Sequence, residues 1–165
     1  FAYFNRGISL YYGGRPNLAA EDFKVFRAHQ PNDPFRILWQ YLADSAVDQQ
    51  KAKQDLLTYA PLIADDVWAK NIIKLYLGEM SQDNFINRLT DNINSNQALT
   101  ERLCEAYFYL AKYSQIQGDI HSAINFFKLA LSTNVYVFVE HRYARLELDL
   151  MRQTMQQTLQ QNSVP

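Results

Sequence analysis

The chain has 165 residues, a formal net charge of −1, 48% hydrophobic and 14% aromatic residues. This length suits one domain with a real core, which excludes a disordered polar segment. No run of Lys or Arg appears and no apolar run approaches about 20 residues, which argues against a nucleic-acid surface, an anionic-membrane surface and a membrane span.

The pattern reads as helix throughout. The chain opens at Phe1, already inside a helical pattern, and is read as a fragment with any targeting segment upstream. A first helix over 2–12 ends at Gly13 and Gly14. Pro16 then suits the first turn of a second helix, which runs to about His29 and buries Ala19, Phe23 and Phe26. In the turn Pro31-Asn32-Asp33-Pro34, Asp33 is a good N-cap and Pro34 falls at the first helical position. Phe35, Leu38, Trp39, Leu42 and Ala46 follow on one helical face. A shorter helix carries Ala52, Leu56 and Leu57 up to Pro61.

Asp65 and Asp66 are expected to open the next helix, with Trp68, Ile72, Leu75 and Tyr76 buried and Gly78 at its end. Ser81 is expected to cap a helix carrying Phe85, Ile86, Leu89 and Ile93, before an Asn/Ser-rich loop at 92–97. A hairpin over 98–133 turns at Gly118 with Asp119 as cap. A last helix, about 135–152, places Val135, Phe138, Val139, Leu146 and Leu150 on one side and caps the open end. The Gln-rich tail 153–165 is expected to be disordered.

Two of these stretches share a template. Tyr3, Gly7, Gly14, Ala19, Phe23 and Phe26 recur as Tyr107, Ala111, Gly118, Ala123, Phe127 and Ala130 at a constant offset of 104 residues. Small residues at helix crossings and aromatics around them are the ladder of a tetratricopeptide (TPR) hairpin, and the offset is close to three periods of about 34 residues. The expected fold is therefore all-α, a TPR-like helical-hairpin solenoid with a C-terminal capping helix. Residues 1–152 form a single domain in this reading. It has clear hairpins at 1–31 and 98–133, atypical helix pairs at 33–60 and 65–94, and a capping helix at 135–152.

The chemistry-bearing residues are sparse. His29, His121 and His141 lie apart and none shares an i, i+4 pair with another His, so no metal site is expected. Cys104 is the single cysteine and reads as a small buried apolar residue rather than a nucleophile. Gly13-Gly14 lacks the rest of a phosphate loop. Trp39 and Trp68 read as core rather than as a ligand cage. No catalytic residue and no cofactor are expected. Glu140, His141 and Arg142 form a polar run that is either a partner-contact surface or ordinary helix-surface pairing, since Arg145 lies one turn from both His141 and Asp149.

Four segments carry a resemblance to a known family. They are FNRGISLYYGG at 4–14, PNDPFRILWQYLA at 31–43, FYLAKYSQIQGDIHSAINFFKLAL at 108–131 and NVYVFVEHRYARLEL at 134–148. Together they resemble the NlpI lipoprotein family of Gram-negative bacteria, from Phe1 to about Leu150. The resemblance implies a periplasm-facing outer-membrane lipoprotein of TPR type that forms homodimers. It implies a non-enzymatic adaptor that brings peptidoglycan hydrolases, notably a murein endopeptidase, to a C-terminal-processing protease, with a part in cell-wall turnover and division. The family's lipidated N-terminal cysteine and first repeats have no counterpart in this chain, so membrane attachment would require an anchor it does not carry.

TPR geometry suggests groove-facing positions on the first helix of each clear hairpin. These are Phe4, Ile8, Tyr11 and Tyr12 in the early hairpin, and Phe108, Lys112 and Gln115 in the late one. The apolar first set either binds an apolar peptide or packs against a preceding repeat, the second being favoured. The alternative to an adaptor is a structural TPR module that acts through self-association.

Overall fold

The computed structural model describes residues 1–161. Among them are nine α-helices, one 3-10 turn and no strand. The helices group into two compact units, Phe1–Phe85 and a second beginning at Ile86, whereas the sequence reads as one domain. The boundary falls inside a short helix, so no linker composition marks it.

The first unit contains α1 (Ala2–Tyr12), α2 (Pro16–Ala28), α3 (Pro34–Ser45), α4 (Gln49–Tyr59), a 3-10 turn (Ala60–Leu62) and α5 (Lys70–Leu77). The helix starts follow from capping. Asp33 accepts from the Phe35 and Arg36 amides and Asp48 from the Lys51 amide, with Pro16 and Pro34 in first turns. The helices pack in order, α1 on α2, α2 on α3, and α3 on both α4 and α5. Helix α3 is therefore buried nearly all round, from Ile37 through Ala43, rather than along one stripe. Ala46 is exposed and Phe35 only half-buried.

An aromatic cluster forms the core between α1, α2 and α3. Phe4 lies 4.9 Å from Phe26 and 5.8 Å from Trp39, and Phe23 lies 5.8 Å from Trp39. Ala19 and Phe23 are fully buried. Tyr3, expected to fill the same crossing, is 43% exposed. It lies on the outer side of α1, where the Arg6 guanidinium sits 5.6 Å from its ring.

Asp65 and Asp66 lie in a turn, and α5 begins only at Lys70. The Lys70 ammonium explains the delay: it donates to the Ile63 carbonyl and to Asp65 Oδ1, both at 2.7 Å, tying the preceding segment into a loop. Leu57 is 50% exposed, so only Ala52 and Leu56 of the expected face are buried in α4.

The boundary helix α6 (Gln82–Asn87) is shorter than its pattern. Ser81 Oγ accepts from the Asn84 amide at its start. Past its end the chain turns through Asn92 in a left-handed conformation, and Arg102 draws the carbonyls of Leu89 and Asp91 at 3.3 and 2.6 Å. Leu89 and Ile93 therefore lie beyond the helix.

The second unit holds α7 (Asn96–Ile116), α8 (Ile120–Ser132) and α9 (Val139–Gln161). Ser95 caps α7 and Asp119 caps α8. Gly118 between them has φ +79°, as its echo Gly14 has +73° in the first hairpin. Helix α9 packs on α8 and α7 and is the capping helix of this unit. Its bounds differ from expectation at both ends. Residues 135–138 turn before it, because Asn134 is left-handed and the Tyr136 amide bonds back to the Asn134 carbonyl. At the other end the helix continues to Gln161 through residues expected to be disordered. Gln, Met and Leu are good helix formers, and Met151, Met155 and Leu159 extend one stripe. Residues 162–165 of that expected tail lie outside the described residues.

Within each unit, consecutive helices pack against their chain neighbours, the helical-hairpin architecture expected of a TPR-like solenoid.

Candidate functional site

The early groove set lies inside the first unit. Phe4 and Ile8 are buried, and Phe4 is engaged by Phe26 and Trp39. Tyr11 and Tyr12 are half-buried and meet edge to face at 5.1 Å, with Tyr11 also 6.5 Å from Trp39. The face assigned to a groove or a preceding repeat is met by α2 and α3 of the same chain.

The late set is also drawn inward. Phe108 is fully buried against Phe127 at 5.9 Å. Lys112 Nζ donates to Glu147 Oε1 at 2.6 Å, and both side chains are only 7% exposed. Gln115 Nε2 donates to Glu147 Oε2 at 2.9 Å. Glu147 was not among the expected site residues, yet it organises two of them.

Glu140, His141 and Arg142 divide. Glu140 is buried and its Oε1 accepts from the Tyr109 hydroxyl at 3.3 Å. His141 is buried, with Nε2 3.1 Å from the Leu131 carbonyl and its ring 4.8 Å from Tyr136. Only Arg142 faces solvent. The surface pairing of His141 with Arg145 therefore gives way to burial of His141.

Burial shapes the electrostatics of this interface. It raises the Glu140 carboxyl to about 7, against which the hydrogen bond from Tyr109 works. It raises Glu105 to about 9, reinforced by the nearby charges of Glu140 and Glu101. It raises the Cys104 thiol to about 11, leaving an inert buried sulfur. Raised carboxyls are a common mark of acid–base sites. Here Glu140 lies on the buried face of α9 and Glu105 on α7, and neither lines either cleft described below.

A cleft of about 330 Å³ lies between α2, α3 and α4 of the first unit, and a larger one, with a cavity of about 590 Å³, lies on the second. Ile120, Leu150, Met151, Met155 and Leu159 supply apolar walls, and Gln115 and Glu147 the polar floor. Of the expected site residues, Gln115 alone lines it. Its main wall is the part of α9 read as a tail. The signal was present as Leu148, Met151, Met155 and Leu159 at helical spacing, but the intervening Gln and Thr masked it.

The remaining histidines stay apart, His29 exposed after α2 and His121 exposed at the start of α8. Among the described residues, no group of three or more His, Cys, Asp or Glu side chains is placed to hold a metal ion. The larger cleft offers apolar contact and hydrogen bonding. No family model matches the chain.

Proposed function

We propose that the chain is a non-enzymatic TPR-type adaptor of the bacterial cell envelope. In this reading it binds a C-terminal-processing protease and peptidoglycan hydrolases such as a murein endopeptidase. It would act on the periplasmic side of the outer membrane, in cell-wall turnover and division. The observation that carries the adaptor part is the repeated hairpin. Gly7 with Ala19, and Ala111 with Ala123, are buried at matching helix crossings, and hairpin stacks of this kind serve as binding scaffolds. The envelope setting and the partners rest on the resemblance to the NlpI lipoprotein family. Among the described residues no helix is long and apolar enough to cross a membrane.

The apolar cleft along α9 would offer a contact surface for such a partner. Pull-down from an envelope extract tests the proposal. Recovery of the protease and the endopeptidase by the chain, reduced by Met155→Glu, is the expected result. Absence of both, in an extract where an intact family member retains them, would reject it.

One observation favours self-association instead. Residues 153–161 of α9 carry no charge while Met155 and Leu159 are exposed, so two copies could meet there without repulsion. Light scattering separates the readings, since a strict monomer excludes the second.

A further inference from the structure

Helix α9 meets α7 and α8 through a face that is largely ionisable. Its buried residues are Glu140, His141, Ala144, Glu147 and Leu148. A packing helix ordinarily presents an apolar stripe, and buried carboxylates oppose docking unless fully paired. The two carboxylates differ in this respect. Glu147 meets a cation and an amide, Lys112 and Gln115. Among the described residues Glu140 meets no cation, only a backbone amide, its own, and the hydroxyl of Tyr109.

Among the described residues, no ion pair reaches Glu140. From α7 come Tyr109, which donates to Glu140, and Glu105 and Cys104, both of which feel the Glu140 charge, with the Arg102 cation also acting on Glu105. From the end of α8 come the Leu131 carbonyl, engaged by His141, and the Thr133 hydroxyl, engaged by Cys104. Tyr136, in the turn before α9, packs its ring on His141. Ionising Glu140 thus places a negative charge in a buried interface where hydrogen bonds from neutral donors are what it meets.

We propose that the N-terminal half of α9 is a pH-sensitive latch, docked on α7 and α8 while Glu140 is protonated and loosened when Glu140 ionises. The device is separate from the adaptor reading and stands or falls without it. Its sign follows from linkage. The docked carboxyl titrates near 7 because burial raises it, whereas a solvated Glu titrates near 4.5. The docked state therefore binds the proton more tightly, so undocking is suppressed at acid pH and becomes easier as pH rises through that interval.

Cys104 provides the probe. It is the chain's single cysteine, fully buried on α7, and its thiol feels the Glu140 charge. Its alkylation rate by iodoacetamide reads the undocking equilibrium. Dividing the wild-type rate by that of Glu140→Gln at each pH cancels the reagent's own pH dependence. The latch predicts that this ratio rises by about tenfold or more between pH 5.5 and 8.5, with far-UV circular dichroism unchanged. A constant ratio, or loss of helix in parallel with labelling, would overturn it. Tyr109→Phe gives an independent arm. A hydrogen bond to an ionised carboxylate is the stronger one, so this variant should accelerate labelling more at pH 8.5 than at 5.5. Equal acceleration at both pH values would reduce the contact to packing and reject the latch.

Discussion

Gly7 has no room for a methyl group. A Cβ there would stand 2.8 Å from Cε1 of Phe23, whose ring is fully buried against Trp39 and cannot retreat. Gly7→Ala should therefore destabilise the chain by about 1–3 kcal/mol, measured by urea denaturation. Gly118 is constrained differently. Open space surrounds it, but its φ of +79° disfavours any side chain. Gly118→Val should cost roughly 1 kcal/mol or more, and an unchanged melting temperature would count against this turn. Both glycines were legible in the sequence because they recur in the ladder. Tyr3 sits in the same ladder, yet it faces outward. Spacing names a helix position but not the neighbour that covers it.

At the scale of elements, the helices announced themselves through caps and periodicity, and Asp33 and Asp119 cap as their residue types suggest, whereas Ser95, read as loop, caps α7. What stayed hidden was the character of the faces. Glu140, Ala144, Glu147 and Leu148 share a buried side of α9, but a hydrophobicity pattern assigns Glu to solvent. The partner that makes Glu147 tolerable, Lys112, lies 35 residues away in the chain. The pair can be tested directly. Lys112→Met leaves a buried carboxylate without its cation and should cost about 3–5 kcal/mol. Adding Glu147→Leu should recover most of that loss in equilibrium unfolding. A double variant as unstable as the single would mean the damage lies in packing rather than charge. The length of α9 was likewise hidden, because Gln and Thr diluted the apolar stripe that builds the cleft wall.

At the scale of the whole molecule, the all-α class followed from the absence of strand alternation and the repeated hairpin. The division into two compact units did not, since its boundary lies within α6 and carries no Pro/Gly-rich linker. Arg88 is exposed in the turn just past α6. Brief trypsin digestion should cut after Arg88 before it cuts within α1 to α5, as mass spectrometry would show. First cleavage inside α2 or α3 would contradict this division. The function was less legible than the fold. Most of the groove positions transferred from TPR geometry are engaged inside the chain, and the cleft with room for a partner is walled by a segment that looked like a tail. The proposed function requires that the chain bind proteins. Sedimentation of the purified chain with a purified C-terminal-processing protease and a murein endopeptidase tests it most directly. The account predicts a faster-sedimenting complex containing the chain and both enzymes, and a chain that sediments unchanged beside each of them would contradict it.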